Sequence, residues 1–294
     1  MIELYRTLFF VPGNDPGKIV KAEIYKADCI IYDLEDSVSV FEKDSARILV
    51  RRALEQIRPS CKIGIRINPA DTAFYMDDIQ SMVPLKPDFL RLPKTESAAD
   101  IVRLDEEISA LEARHNISAG SIKIVATIES ALGIINSYQI ATASKRMLGI
   151  GMGAEDLCTD MRIERTTHGR ELALARQMIV LAAHAAKINA LDAVYSNIKD
   201  LQGFRENVLE GKMLGYTGKS VVHPQQIDIV HECYAPSLQQ LEYAQEVLAA
   251  YNQAMSGAAG VISLHGKMID APMVTRARHI IEYAKAAGKQ VQDD

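Results

Sequence analysis

At 294 residues and 48% hydrophobic content, the chain can bury a full core, either as one large α/β barrel or as two smaller domains. A formal charge of -5 without basic clusters argues against a nucleic-acid partner, and no apolar segment approaches the ~18 residues a membrane span needs. The four cysteines, Cys29, Cys61, Cys158 and Cys233, form no C-x-x-C pair, and the N-terminus has no apolar leader region, so a soluble cytoplasmic protein with reduced, structural cysteines is expected.

In chain order, Thr7 to Val11 is a short apolar run stopped by Pro12-Gly13-Asn14, with an amphipathic segment from Pro16 to Ala27 behind it. The same strand-then-helix unit recurs. Asp28 to Tyr32 ends in Asp33-Leu34-Glu35-Asp36 and is followed by a helical stretch from Phe41 to Ile57. Lys62 to Ile67 is the third strand, Phe89 to Leu92 the fourth, Ile122 to Ile128 the fifth and Met147 to Ile150 the sixth. Behind the fourth, Ile101, Leu104, Ile108 and Leu111 fall on one helical face; behind the sixth, Leu172, Ala175, Ile179, Ala182 and Ala186 do the same. Ala193-Val194-Tyr195 and Ser220-Val221-Val222 are the predicted seventh and eighth strands. Strands this apolar are covered on both faces, and eight such units close into a TIM (β/α)8 barrel, with a doubly wound sheet as the competing arrangement. Residues 1–256 are assigned to the barrel. Residues 257–294 form an extension, a hairpin-like piece and a helix from Pro272 to Ala287, which folds back or crosses to a neighbouring subunit.

The predicted strand ends are far more polar than the strand starts. They carry Pro12-Gly13, Glu35-Asp36, Arg66, Lys94, Glu129, Asp156, Ser196 and His223, and function in such a barrel gathers at that face. Glu129 and Asp156 follow neighbouring strands and would supply the oxygen ligands that a hard divalent cation prefers; each also suits the cap of the next helix. Arg66, on an otherwise apolar strand, needs an anion: a substrate carboxylate, or an ion pair with Glu35 or Asp36. Gly13 to Lys18 is one residue short of a Walker loop and has Ile19 where Ser or Thr should stand. Gly149-Ile150-Gly151-Met152-Gly153 is not a dinucleotide fingerprint and suits close backbone approach to a ligand. Lys94 reads as an anion-binding or solvated lysine rather than a Schiff base, and His223 as a hydrogen-bonding loop histidine. Asp270, before Pro272, is a natural helix N-cap.

With these residues in place, the chain resembles the citrate lyase beta subunit family, HpcH/HpaI-like magnesium-dependent acyl-thioester lyases with TIM barrel folds. The matching stretches include Leu8-Phe9-Phe10-Val11-Pro12-Gly13, Asp33-Leu34-Glu35-Asp36-Ser37-Val38, Arg91-Leu92-Pro93-Lys94, Ile128-Glu129-Ser130, Gly153-Ala154-Glu155-Asp156, Gly218 to Ile227 and Gly266-Lys267-Met268-Ile269-Asp270. The resemblance implies that Glu129 and Asp156 hold Mg2+, that Arg66 grips an oxo-acid carboxylate, and that Glu129, Glu35, Asp36, Gly153 and Ala154 lie against the substrate. It implies that Arg6 and Lys18 meet the phosphates of the thioester carrier, acyl-carrier protein or CoA. It also implies that Asp270 acts with Arg66 in catalysis, in relatives by reaching the active site of the next subunit of a homotrimer. The expected reaction is retro-Claisen cleavage of a citryl thioester to oxaloacetate and acetyl thioester, with transferase and acyl-carrier subunits as partners. A free-standing citramalyl-CoA or malyl-CoA lyase and a non-catalytic scaffold are the alternatives. The acceptor of the hydroxyl proton is open among Asp270, Glu35 and water.

Overall fold

A computed structural model of the chain describes residues 2–166, 169–257 and 263–289. Eight parallel strands, β1 (Thr7–Pro12), β2 (Cys29–Asp33), β3 (Lys62–Arg66), β4 (Phe89–Leu92), β5 (Lys123–Ile128), β6 (Met147–Met152), β7 (Asn189–Asp192) and β8 (Gly218–Val221), close in sequence order into a barrel. Closure is made by β1 on β8, with Thr7 opposite Lys219 and Leu8 opposite Ser220. This is the expected TIM barrel.

Alternate residues along each strand explain how one barrel is both packed and functional. At the lower level, Leu8, Cys29, Ile31, Phe89, Val125 and Leu191 form one buried apolar cluster. One step of two residues further along, the same parity brings Phe10, Asp33, Arg91 and Thr127, and a further step along β5 reaches Glu129. Apolar residues therefore plug the barrel, and polar residues replace them toward the C-terminal ends. Gly64 serves the plug: a Cβ there would lie 2.4 Å from the ring of Phe89.

The helices follow the sequence periodicity. Ile101, Leu104, Ile108 and Leu111 all lie on the buried face of the α-helix Ala98–Arg114, which opens with a Ser97 and Asp100 capping box. The segment predicted from Pro16 divides into an α-helix, Pro16–Lys21, and a 3-10 turn, Ala22–Tyr25. The seventh strand differs from expectation. It is Asn189–Asp192, while the more apolar Ala193-Val194-Tyr195 forms its exit. Asn189 belongs in the strand because its Nδ2 donates to Leu148 O at 2.9 Å, and Asp192 because Arg176 and Lys219 neutralise it. All four cysteines are unpaired, as expected. Among the described residues no helix is long and apolar enough to cross a membrane.

The chain forms two compact units: Tyr5–Cys233, which holds the barrel, and Met1–Leu4 with Tyr234–Asp294. The division falls earlier than the 256/257 boundary expected from sequence. The helix Leu238–Gly257 packs along the helix Ala271–Ala286 around Ala244, Val247, Ile269, Val274 and Ala277 and so belongs with the C-terminal segment. Between those helices β9 (Ser263–Leu264) and β10 (Lys267–Met268) pair antiparallel through His265 and Gly266, both at positive φ as a tight hairpin turn requires. The first residues of the expected hairpin-like piece, 258–262, lie outside the described residues.

Candidate active site

A cavity of about 980 Å³ opens at the C-terminal ends of the strands, and the described residues that line it belong to the barrel unit. Glu129, Asp156, Arg66, Asp36, Gly153, Ala154, Lys18 and His223 all line it, so most of the residues singled out in the sequence converge. Glu35 does not line it and is buried near Arg66. Lys94 is exposed and absent from the lining.

Glu129 directly follows β5 with 5% of its surface exposed, and its Oε2 is buried without a hydrogen-bond partner. Burial, then the charges of Glu35 and Asp156, push its carboxyl up to about 8. The space it occupies is provided by Gly153, where a Cβ would stand 2.6 Å from the glutamate's Cγ. Gly151 leaves room in the same way for Arg91, 3.1 Å from Nη2, and Gly149 for the backbone of Asn189, at 2.8 Å. These glycines thus admit side chains and backbone of the barrel itself, rather than only the ligand expected from sequence.

Asp156 lies in the first turn of the short helix Ala154–Asp160, on the same wall. The donor set suits a small hard dication. It offers only carboxylate oxygens, one of them orphaned, and two carboxylates leave the rest of an octahedron to water and substrate. Among the described residues no group of three or more His, Cys, Asp or Glu is placed to hold a metal.

Arg66 is held more tightly than expected. Its Nε and Nη2 donate to Oδ1 and Oδ2 of Asp33 at 2.7 and 2.6 Å, a bidentate pair the sequence reading did not identify. Its Nη1 lies 3.2 Å from Asp36 Oδ2 and 2.9 Å from Glu35 Oε2, the latter an ion pair outside hydrogen-bond alignment. Burial works against the charge of Arg66, but Asp33 first and then Glu35 and Asp36 overcome it and hold the guanidinium firmly protonated. Glu35 is pushed up to about 7 by burial, with Arg66 opposing and Asp36 and Asp33 adding to the rise. Asp33 is buried too, yet Arg66 keeps it below the ordinary carboxylate range.

Arg91 is a second guanidinium that the sequence reading passed over. It lies 3% exposed in the lining, with Nε donating to Thr127 Oγ1 at 2.7 Å. Both arginines stand over the ring of Phe10, at 5.1 and 5.0 Å from its centroid. The signal was strand parity: Arg91 follows Phe89 by two residues, as Arg66 follows Gly64.

The carrier expectation divides. Lys18 is on the cavity rim, its ammonium 3.2 Å from Asp15, and Lys21 stands beside it in the lining. Arg6 is not at the site. It precedes β1, at the opposite end of the barrel, where its backbone N, Nε and Nη2 all donate to Asp28. Asp270 belongs to the C-terminal unit, where its Oδ1 accepts from Met273 N at 2.9 Å as the cap of Ala271–Ala286. His223 makes the expected loop contact, Nδ1 accepting from Gln225 N at 3.3 Å.

Residues 6–224 match the family model described as HpcH/HpaI aldolase/citrate lyase. The chain belongs to this family. It is 44% identical to the citrate lyase subunit beta of Leuconostoc mesenteroides subsp. cremoris, over 96% of this chain and 94% of that protein. It is 43% identical to the subunit of the same name from Haemophilus influenzae, over 97% and 98%. Among solved structures, protein CitE from Mycobacterium tuberculosis, in complex with magnesium, acetoacetate and coenzyme A, matches with a TM-score of 0.79 at 30% identity, covering 97% of this chain and 99% of that one. This HpcH/HpaI membership agrees with the resemblance drawn from the motifs.

Proposed function

We propose that the chain is a magnesium-dependent carbon–carbon lyase, the beta subunit of a citrate lyase, which cleaves citryl thioester to oxaloacetate and acetyl thioester. The observation that carries this reading is the buried, unpartnered Glu129 carboxylate, facing Asp156 and two arginines in a cavity at the C-terminal face of the barrel. Near-full-length likeness to proteins named citrate lyase subunit beta supports it. A scaffold needs no such buried, unpartnered carboxyl group.

In the reaction, the carbinol hydroxyl loses its proton, the bond from the carbinol carbon to the thioester α-carbon breaks, and that α-carbon gains a proton. Glu129 and Asp156 would hold magnesium, which supplies charge neutralisation at the hydroxyl and carboxylate oxygens of the oxo-acid half. Arg66, fixed in orientation by Asp33, turns Nη1 toward a substrate carboxylate; exposed Asp36 is the partner that gives way. Lys18 receives carrier phosphate at the rim. Glu35, buried in its ion pair and outside the lining, is poorly placed to take the hydroxyl proton. Asp270 of a neighbouring subunit takes it and returns it to the enolate carbon. The assembly is then a cytoplasmic homo-oligomer, a trimer, working with transferase and acyl-carrier subunits.

The test is oxaloacetate release by the purified chain from citryl-CoA, with citramalyl-CoA and malyl-CoA in parallel, each with and without magnesium. Magnesium-dependent release with citryl preferred is expected. Preference for another thioester would assign a free-standing lyase, and no release from any, with the transferase and carrier subunits supplied, would leave the scaffold.

A further inference from the structure

Buried arginines elsewhere in this chain are neutralised. Arg146 gives Nε to Asp105, Nη1 to Glu112 and to the Ile122 carbonyl, and Nη2 to Ser109 and Glu112. Arg47 leaves one nitrogen open but has Asp44, Asp77 and Asp78 around its guanidinium. Arg91 is different. Its Nε goes to a neutral hydroxyl, Nη1 is buried with no partner, and no carboxylate pairs with it among the described residues. A second orphan lies in the same cavity: Ser220 Oγ, on β8, is buried and unpartnered. Arg66, by contrast, already faces three carboxylates. Leaving a buried guanidinium and a buried hydroxyl open is costly unless a ligand completes them, and a carboxylate fits a guanidinium edge.

We propose that Arg91 and Ser220 form a second carboxylate subsite, which selects substrates whose oxo-acid half carries two carboxylates rather than one. Naming the thioester rests on the lyase reading above; the subsite rests on the two orphaned donors. A citryl group keeps two carboxylates, one on the carbinol carbon and one at the end of a CH2 arm. Malyl and citramalyl groups carry a hydrogen or a methyl where that arm stands. The carbinol carboxylate goes to Arg66, beside the residues that would hold the metal, and the arm goes to Arg91 and Ser220. Burial first and then the neighbouring Arg66 charge bring Arg91 down to about 10, with the charges of Glu129 and Asp33 opposing the fall.

The test is calorimetric binding of oxaloacetate and of pyruvate, each with magnesium, to the wild-type chain and to Arg91→Met, Arg91→Lys and Ser220→Ala. The wild type is expected to prefer oxaloacetate. Arg91→Met should reduce the oxaloacetate-to-pyruvate affinity ratio about a hundredfold, the worth of a charge-assisted pair. Arg91→Lys should restore part of that ratio, and Ser220→Ala should lower it about tenfold. The kcat/KM ratio for citryl-CoA over citramalyl-CoA should move the same way. An unchanged ratio, or equal losses for both oxo-acids, overturns the subsite. A wild type that cleaves no thioester overturns the lyase reading alone, because the binding ratio still decides the subsite. Should Arg91→Met fail to fold, Arg91→Lys and Ser220→Ala decide it.

Discussion

Glu129 holds its proton to about pH 8 when no cation is present, above the range of an ordinary carboxylate. The folded chain therefore keeps a proton that the unfolded chain releases, and stability from this group falls as pH rises from the ordinary carboxylate value to about 8. Glu129→Gln removes that fall. In chelator, thermal melts should show the variant gaining on the wild type across this window, to on the order of 2 kcal/mol at its upper end. Magnesium should raise the melting temperature of the wild type and leave the variant unmoved, with magnesium-dependent lysis lost. Of the cavity residues, Glu129, Asp156 and Arg66 were legible because a charge at the end of an apolar run has few structural uses. Asp33 and Arg91 were not, although both stand within or at the end of such runs. Their meaning depends on which face of the strand they occupy, which the step of two from Phe89 or Ile31 suggests and the pairing register fixes.

Among the elements, β1 separates two cations that look alike in sequence. Arg6 precedes it and Lys18 follows it, so they sit at opposite ends of the barrel. Lys18→Ala should raise KM for the carrier-bound substrate several-fold, more at low salt than at high, as expected of an exposed charge. Arg6→Ala should leave that KM unchanged and lower stability by about 3 kcal/mol, because it strands the largely buried Asp28. Burial favours protonation of Asp28, but hydrogen bonds and charges from Arg6 and His231 outweigh it and hold the group well below the ordinary carboxylate range. Its contribution is then fully present above pH ~4 and is lost as pH falls below that value. Acid titration of unfolding should show Asp28→Asn and wild type converging there. Strand direction was readable from the apolar runs, and it already excluded Arg6 from the functional face. The same runs misplaced β7, since Asn189 and Asp192 make the true strand more polar than its exit.

At the scale of the whole molecule, the described residues that line the cavity belong to the barrel unit, while Asp270 belongs to the other unit. If Asp270 serves a neighbouring subunit, activity belongs to the assembly. Glu129→Gln and Asp270→Asn, each inactive by itself, should recover part of the wild-type rate when co-refolded, since a mixed oligomer contains a site with both native groups. Asn caps a helix as well as Asp, so the Asp270 variant should keep its melting temperature. No recovery from a stable mixed oligomer would confine Asp270 to its own subunit or to capping. The closed barrel was legible because eight apolar runs each carried a helix behind them; the unit boundary was not, because it depends on which helix packs against which.

The alternate glycines of β6 also constrain how this cavity can change. At Gly149, Gly151 and Gly153 even a methyl group would meet Asn189, Arg91 or Glu129. Sequence drift is restricted on that wall, and so is redesign that works by adding bulk. A chemist seeking a new acyl specificity would instead vary the lining that follows β7 and β8, at Val194, Ser220 and Val222, where side chains already line the space and can be exchanged for others.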